Sequence, residues 1–244
     1  MENDQKRIIL LSRGKLGLSC YNLLKRYHFK VCAIVANSEC TPYSLPYLCD
    51  AAFMDNVHFI PNNTRNENKI LKVVKDNNVD YLLSVQHIWV LSKNVLDSVQ
   101  GAYNIHNAKL PNYKGYYSIS HAILNGDKVY TSTLHHMAPK VDSGDIIFER
   151  KIPISPSDTA LSLYNRTMVS CSNLVKLLLS YIDNHKNIPR RKMCVGGKFY
   201  DKASLDPFRV VKPEQVTNKI VRALYYPPQT ARVKIGGNTY GLSL

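Results

Sequence analysis

Apolar residues in the first half of the chain come in short continuous runs separated by longer segments with helical spacing. Residues 7–11 (RIILL) have the length and continuity of a strand buried on both faces, and Leu16, Cys20, Leu23 and Leu24 then recur along one helix face. Residues 31–36 (VCAIVA) repeat the strand pattern, and VHFIP carries a third run to Pro61. A polar helix is predicted over 64–78, VDYLLSV makes a fourth strand, and residues 102–106 (AYNIH) make a fifth. Strands alternating with helices of this length pair in parallel through right-handed crossovers, which predicts an open α/β sheet covered on both faces. In such sheets ligands bind beyond the carboxyl ends of the strands.

The pattern continues with a helix around 118–124 and two strands, VYTSTLHHM and IIFERKIPI, flanking the loop APKVDSGD. A long helix follows, with Ser157 or Asp158 as its cap and Leu161, Leu163, Tyr164, Met168, Leu174, Leu177 and Leu178 as its apolar positions. After Asn187 the composition turns basic and broken. Pro213 is placed as the first residue of a helix carrying Val216, Ile220 and Leu224, and the pair Gly236-Gly237 joins two alternating runs as a tight hairpin. The predicted organisation is therefore a Rossmann-like, mostly parallel α/β domain over 1–187 and a small helix plus β-hairpin unit over 188–244.

No stretch approaches the ~20 consecutive apolar residues of a membrane span, and MENDQKRIILLSRG runs from a polar lead straight into a strand rather than into a signal peptide. A soluble cytoplasmic protein is expected. Cys20, Cys32, Cys40, Cys49, Cys171 and Cys194 lie far apart without a Cys-x-x-Cys pair, which reads as reduced thiols. The balance of 32 Lys+Arg against 18 Asp+Glu, +14 at pH 7, suits nucleic acid, a nucleotide-linked substrate or a polyglutamylated cofactor, and equally suits simple solubility.

Polar residues cluster at the predicted strand ends: Ser12-Arg13-Gly14 after the first, Gln86-His87 after the fourth, Asn104 and His106 on the fifth. Asn104 and His106 are two apart and so point the same way. An amide donor beside an imidazole suits acyl transfer, although a strand-end histidine on its own fits a hydrogen-bonded structural residue as well. Asp142 and Asp145 flank Gly144 in a loop, where either can hold His106 or both can make an Asx-type turn. His135 and His136 are adjacent on a strand and face opposite ways, which argues against a metal shared among His106, His121, His135 and His136.

Asn104-Ile105-His106, Leu110-Pro111, Tyr113-Lys114-Gly115, His135 and Asp142-Ser143-Gly144-Asp145-Ile146 occur in this order. Together they resemble the linked motifs of the 10-formyltetrahydrofolate-dependent formyltransferase family, over roughly residues 7–185. The resemblance implies that an amine attacks the formyl carbon of 10-formyltetrahydrofolate. Asn104 and protonated His106 would stabilise the oxyanion, and Asp142 would hold His106 and help move the amine proton, with no metal. It further implies that main-chain groups of two loops, 86–91 and 137–142, hold the pterin. These loops contain Gln86, Trp89, Leu91, Met137, Ala138, Val141 and Asp142.

The family includes enzymes acting on a purine-pathway ribonucleotide, on methionyl-tRNA and on nucleotide-linked amino sugars. The short tail is most similar to the sugar-nucleotide group. A dTDP-linked amino-dideoxy sugar, first dTDP-4-amino-4,6-dideoxyglucose and next its 3-amino isomer, is thus the expected acceptor, with a role in O-antigen and lipopolysaccharide biosynthesis. The ribonucleotide and methionyl-tRNA are the alternatives, and a basic RNA-binding module is the competing class that the charge suggests. Ser12, Arg13 and Gly14 open a helix whose amino terminus can receive phosphate oxygens, or they form an ordinary tight turn. Lys114 joins this anionic substrate set. Tyr225 and Tyr226, before Pro227-Pro228, can stack on a base, fill the hairpin core or make dimer contacts. A homodimer through the tail is expected from the resemblance.

Overall fold

A computed structural model describes residues 5–36, 47–62, 65–226 and 230–244; Cys40, Thr64, Pro227 and Pro228 lie outside the described residues. The first half alternates as its pattern predicts. In order come β1 (Arg7–Ser12), α1 (Gly14–Arg26), β2 (Lys30–Ala36), α2 (Tyr47–Met54), β3 (His58–Pro61), α3 (Glu67–Asn77), β4 (Tyr81–Val85), α4 (Lys93–Asp97) and β5 (Gly101–His106). Next in the chain are β6 (Lys114–Gly115), α5 (Ser118–Asn125), β7 (Val129–His136), β8 (Ile146–Pro153) and α6 (Ala160–Asp183). The tail holds β9 (Phe199–Tyr200), α7 (Asp206–Arg209), β10 (Val210–Val211), a 3-10 turn (Pro213–Gln215), α8 (Asn218–Leu224), β11 (Arg232–Ile235) and β12 (Asn238–Gly241).

The main sheet has the order β3-β2-β1-β4-β5-β7-β8. Its first five strands run parallel, and β7 pairs antiparallel with β5. The strand order reverses between β1 and β4, where Ser12 lies opposite Val85. Crossovers leave in opposite directions at such a switch point and open a crevice beyond the strand ends. The loops starting at Arg13 and at Gln86 both leave from it.

The chain divides into two compact units, each built from three stretches. The first comprises Met1–His106, Thr133–Phe148 and Cys171–Met193; the second comprises Asn107–Ser132, Glu149–Ser170 and Cys194–Leu244. A compositional boundary near 187 therefore does not coincide with a structural one: β7, β8 and α6 each contribute residues to both units. In the first unit Ile8 to Leu11 on β1 are at most 1% exposed, because one strand face packs on α3 and its neighbours and the other is covered as well. Ile9, Leu11, Val35, Ile60, Ile70, Val74, Leu82 and Val95 share one core cluster. Burying each such aliphatic side chain contributes about 1.5–3 kcal/mol. The second unit has its own core, in which Tyr113, Ile123, Tyr130, Leu163, Tyr200 and Leu224 meet.

Local signals moved some predicted boundaries. Pro213 opens the 3-10 turn, and α8 starts only after Thr217, whose side chain accepts from the Ile220 N–H at 3.2 Å. Helix α6 starts after Thr159, whose Oγ1 accepts from the Ser162 N–H at 3.0 Å, while Asp158 is occupied by the Ser155 N–H and the Ser162 hydroxyl. Leu177 on α6 is exposed; Leu174, Val175, Leu178 and Leu179 form the buried face instead. The hairpin forms as predicted, with Ile235 paired to Asn238 and positive φ at Gly236 and Gly237. Cys20, Cys32, Cys49, Cys171 and Cys194 are free thiols. Among the described residues no helix is long and apolar enough to cross a membrane.

Candidate active site

The pairing of β5 with β7 places Asn104 directly opposite His135, with His106 two residues along the same face. His135 is only 2% exposed. Its Nδ1–H donates to the His136 carbonyl at 2.7 Å, so its Nε2 lone pair accepts from the Asn104 side-chain amide at 2.9 Å. Burial pushes the His135 imidazole below the ordinary histidine range, which keeps it in this neutral form.

Asp142 enters from the loop after β7. Its Oδ1 lies 3.4 Å from His106 Nδ1 and 3.8 Å from His135 Nε2, and its side chain and that of His106 are each 11% exposed. Because His135 carries its proton on Nδ1, His106 is the imidazole that can present an N–H to this carboxylate. Asp145 instead lies 3.9 Å from Arg190, so the structure separates the two aspartates that spacing alone left equivalent. The loop is a turn as well as a candidate site. Asp142 has φ 45°, a left-handed conformation that aspartate tolerates better than most residues, and the Ser143 hydroxyl donates to the Lys140 carbonyl at 2.8 Å. Gly144 is required for close approach, since a Cβ there would sit 1.7 Å from the His136 carbonyl oxygen. The His136 N–H donates to the Asp145 carbonyl at 2.8 Å and closes the loop. His136 itself faces away, packing on the Tyr103 ring at 5.5 Å. Among the described residues no group of three His, Cys, Asp or Glu side chains is arranged to hold a metal ion.

Of the two loops expected to hold a cofactor, 86–91 leaves β4 through Gln86 at φ 59°. It exposes Ile88 and Trp89 and buries Leu91 in the core, so Leu91 offers a ligand only its main chain. Met137 packs against the same cluster as Leu91, which brings the second loop alongside the first. The Met137 N–H donates to the Ala102 carbonyl at 2.8 Å; Ala138 is half-buried and Val141 exposed.

The first loop is fixed by residues that the sequence did not single out. Asn62, 2% exposed at the end of β3, accepts from the Trp89 indole N–H at 3.1 Å through its carbonyl and donates from its side-chain amide to His87 Nδ1 at 3.2 Å. Arg65 donates to the Val90 carbonyl at 2.8 Å, and Glu67 accepts from the Ser92 N–H at 3.0 Å. Burial, then the charge of Arg13, pushes the His87 pKa down to about 4, which leaves it neutral. The signal available in the sequence was the place of Asn62 immediately after a strand end.

Ser12 is fully buried and its hydroxyl donates to the Val85 carbonyl at 3.0 Å. Arg13 is exposed immediately before α1, whose first turn carries no acidic residue, and Gly14 has φ 68°. The first turn of a helix directs N–H groups outward without intrahelical partners, so these and the guanidinium suit an anion. Lys114 and Tyr225 belong to the second unit. Lys114 Nζ donates to the Gly196 carbonyl at 3.2 Å. Tyr225 keeps an exposed ring while its carbonyl accepts from the Leu161 N–H at 3.0 Å. Tyr226 packs edge-on against Tyr164 at 5.0 Å, so of the two tyrosines it is the core residue.

A family model described as formyl transferase matches residues 30–176. The fold is similar to that of a 4-N formyltransferase from Francisella tularensis, with 18% identity, TM-score 0.80, and 98% of this chain and 97% of that chain covered. It is also similar to an N-formyltransferase from Helicobacter canadensis in complex with folinic acid and dTDP-3-aminofucose, with 18% identity, TM-score 0.74, and 96% and 85% covered. For glycinamide ribonucleotide transformylase 1 from Symbiobacterium toebii the identity is 18%, the TM-score 0.65, and the coverage 80% of this chain and 96% of that one.

Proposed function

Because the chain belongs to the formyl transferase family, we propose that it moves the formyl group of 10-formyltetrahydrofolate to the amine of a dTDP-linked amino-dideoxy sugar. The observation that carries this reading is the Asp142 carboxylate 3.4 Å from His106, at a strand end that also presents Asn104. The acceptor nitrogen forms a bond to the formyl carbon, and the carbonyl oxygen becomes an oxyanion facing the Asn104 amide and the His106 imidazole. Asp142 holds His106 through Nδ1 and relays the proton lost by the amine toward the departing N10, whose bond to the carbon breaks. Trp89, Ile88 and Val141, exposed beside loops rich in main-chain polar groups, fit a flat ring with a hydrogen-bonding edge.

The sugar acceptor is supported by the extent of the likeness. The match to the 4-N formyltransferase spans 98% of the chain and so takes in the tail, whereas the ribonucleotide enzyme matches 80%. The neighbour from Helicobacter canadensis, bound to folinic acid and dTDP-3-aminofucose, points the same way. In this reading dTDP-4-amino-4,6-dideoxyglucose is the first acceptor. Arg13 and Gly14, at the amino terminus of α1, receive the phosphate oxygens of the nucleotide, and the protein works in the cytoplasm as a homodimer in O-antigen biosynthesis.

The test is to supply 10-formyltetrahydrofolate with dTDP-4-amino-4,6-dideoxyglucose, its 3-amino isomer, glycinamide ribonucleotide or methionyl-tRNA, and to follow tetrahydrofolate release and the formylated product. Turnover with a dTDP-amino sugar is expected. Turnover confined to the ribonucleotide or the tRNA overturns the acceptor assignment.

A further inference from the structure

The 86–91 loop begins with a conformation that residues other than glycine avoid, Gln86 at φ 59°, and its later residues add holds of their own. Two of them, His87 and Trp89, both end on Asn62. Asn62 is itself buried and bonded: it is 2% exposed, and its N–H donates to the Ala36 carbonyl at 2.8 Å as an extension of the β2–β3 ladder. One buried residue at the end of β3 thus fixes two anchor points of the loop.

We propose that Asn62 is the positioning residue of the cofactor loop: its amide sets His87 in the Nε2–H tautomer, and its carbonyl pins the Trp89 indole, so that the loop is presented in its ligand-binding shape before the folate arrives. This rests on the formyl-transfer reading for the identity of the ligand, though not for the clamp itself. An asparagine side-chain NH₂ can only donate, so His87 Nδ1 must be the acceptor and must carry no proton. The neutral state of His87, held by burial and by the charge of Arg13, agrees with that assignment. Loss of the amide removes a hold on His87, and the cost then falls on binding the folate, since Asn104, His106 and Asp142 lie on other elements.

Steady-state kinetics of Asn62→Ala, His87→Leu and His87→Gln test this. Asn62→Ala and His87→Leu are expected to raise the KM for 10-formyltetrahydrofolate roughly tenfold, the size of one hydrogen bond, with kcat within about twofold. The double variant is expected to be no worse than either single one, because both remove the same bond. His87→Gln, whose side-chain oxygen can accept from Asn62, is expected to restore the KM. Trp89 is the chain's only tryptophan, so quenching of its emission by folinic acid gives a dissociation constant that should shift in parallel. An unchanged KM in both disruptive variants, or a fall in kcat at constant KM, overturns the proposal. If Asn62→Ala does not fold, the His87 pair decides alone. If the wild-type protein neither turns over nor binds folinic acid, the formyl-transfer reading has failed. The clamp is then judged by ¹⁵N NMR of His87: an Nε2-protonated tautomer lost in Asn62→Ala upholds it, and an Nδ1-protonated one overturns it.

Discussion

Gly144→Ala isolates the part played by the loop that carries Asp142. The added Cβ would lie 1.7 Å from the His136 carbonyl oxygen and 2.6 Å from its carbon. Carbon and oxygen in ordinary contact sit about 3.3 Å apart or more, so the loop and β7 must separate by roughly 1.5 Å. Neither side yields cheaply, because both atoms are backbone and the His136 N–H is tied to the Asp145 carbonyl at 2.8 Å. The displacement is passed to Asp142, two residues away, whose contact with His106 is already 3.4 Å. A misplacement of about 1 Å in a catalytic group costs on the order of 10²-fold in rate, and overpacking costs about 1–3 kcal/mol of stability. The expected outcome is a kcat about 10²-fold down in a protein that still folds, measured by steady-state formyl transfer beside a thermal melt. Ser143→Ala, which removes only the hydroxyl bond to Lys140, is the control and should stay within a few-fold. A Gly144→Ala enzyme with kcat within threefold and an unchanged melt would refute the idea that close packing on His136 positions Asp142.

His106→Asn and Asp142→Asn should each abolish turnover while Trp89 fluorescence still reports folinic acid binding; near wild-type kcat in either variant removes its assigned role. Asn104→Ala should lower kcat on the order of 10²- to 10³-fold, the usual cost of an oxyanion donor, and a loss confined to KM would contradict that role. Stability should fall on acidification. His87 and His121 are each pushed down to about 4 chiefly by burial, and His135 is pushed below its ordinary range in the same way. The unfolded chain therefore takes up protons near pH 6.5 that the folded chain refuses, so stability is complete above that pH and declines as pH falls toward 4. Urea midpoints at pH 7.5 and pH 5 measure this, and equal midpoints would show that the three imidazoles are not buried neutral.

Much of the first unit was legible because its strands are buried on both faces, which leaves runs such as RIILL and VCAIVA with no polar interruption. The proposed catalytic trio was read from linked motifs. Asn104, His106 and Asp142 each have a sufficient structural explanation alone, and their common neighbourhood emerges only once β5 and β7 pair. The elements that escaped the sequence had little periodicity to show. Strands β6 and β9 pair over two residues, and α4 spans five. The interleaving of the two units was hidden because a single strand or helix supplies residues to both, without any change of composition at the crossing.

The protonation of His135 shows why composition and spacing could not finish the reading of the site. If His135 were charged, both of its ring nitrogens would carry protons, and Nε2–H would confront the Asn104 NH₂ across 2.9 Å. The amide would turn its oxygen toward His135 and its donors away from their present direction. Burial at 2% exposure prevents this by disfavouring the charged form, and the His136 carbonyl places the single proton on Nδ1. Asn104 must then commit one N–H to His135, which fixes the plane of the amide and the direction of the other. In the proposed reaction that second N–H is the oxyanion donor. Its orientation is thus set by the solvent exclusion of a neighbouring strand, a property of the folded sheet that no local stretch of the sequence contains.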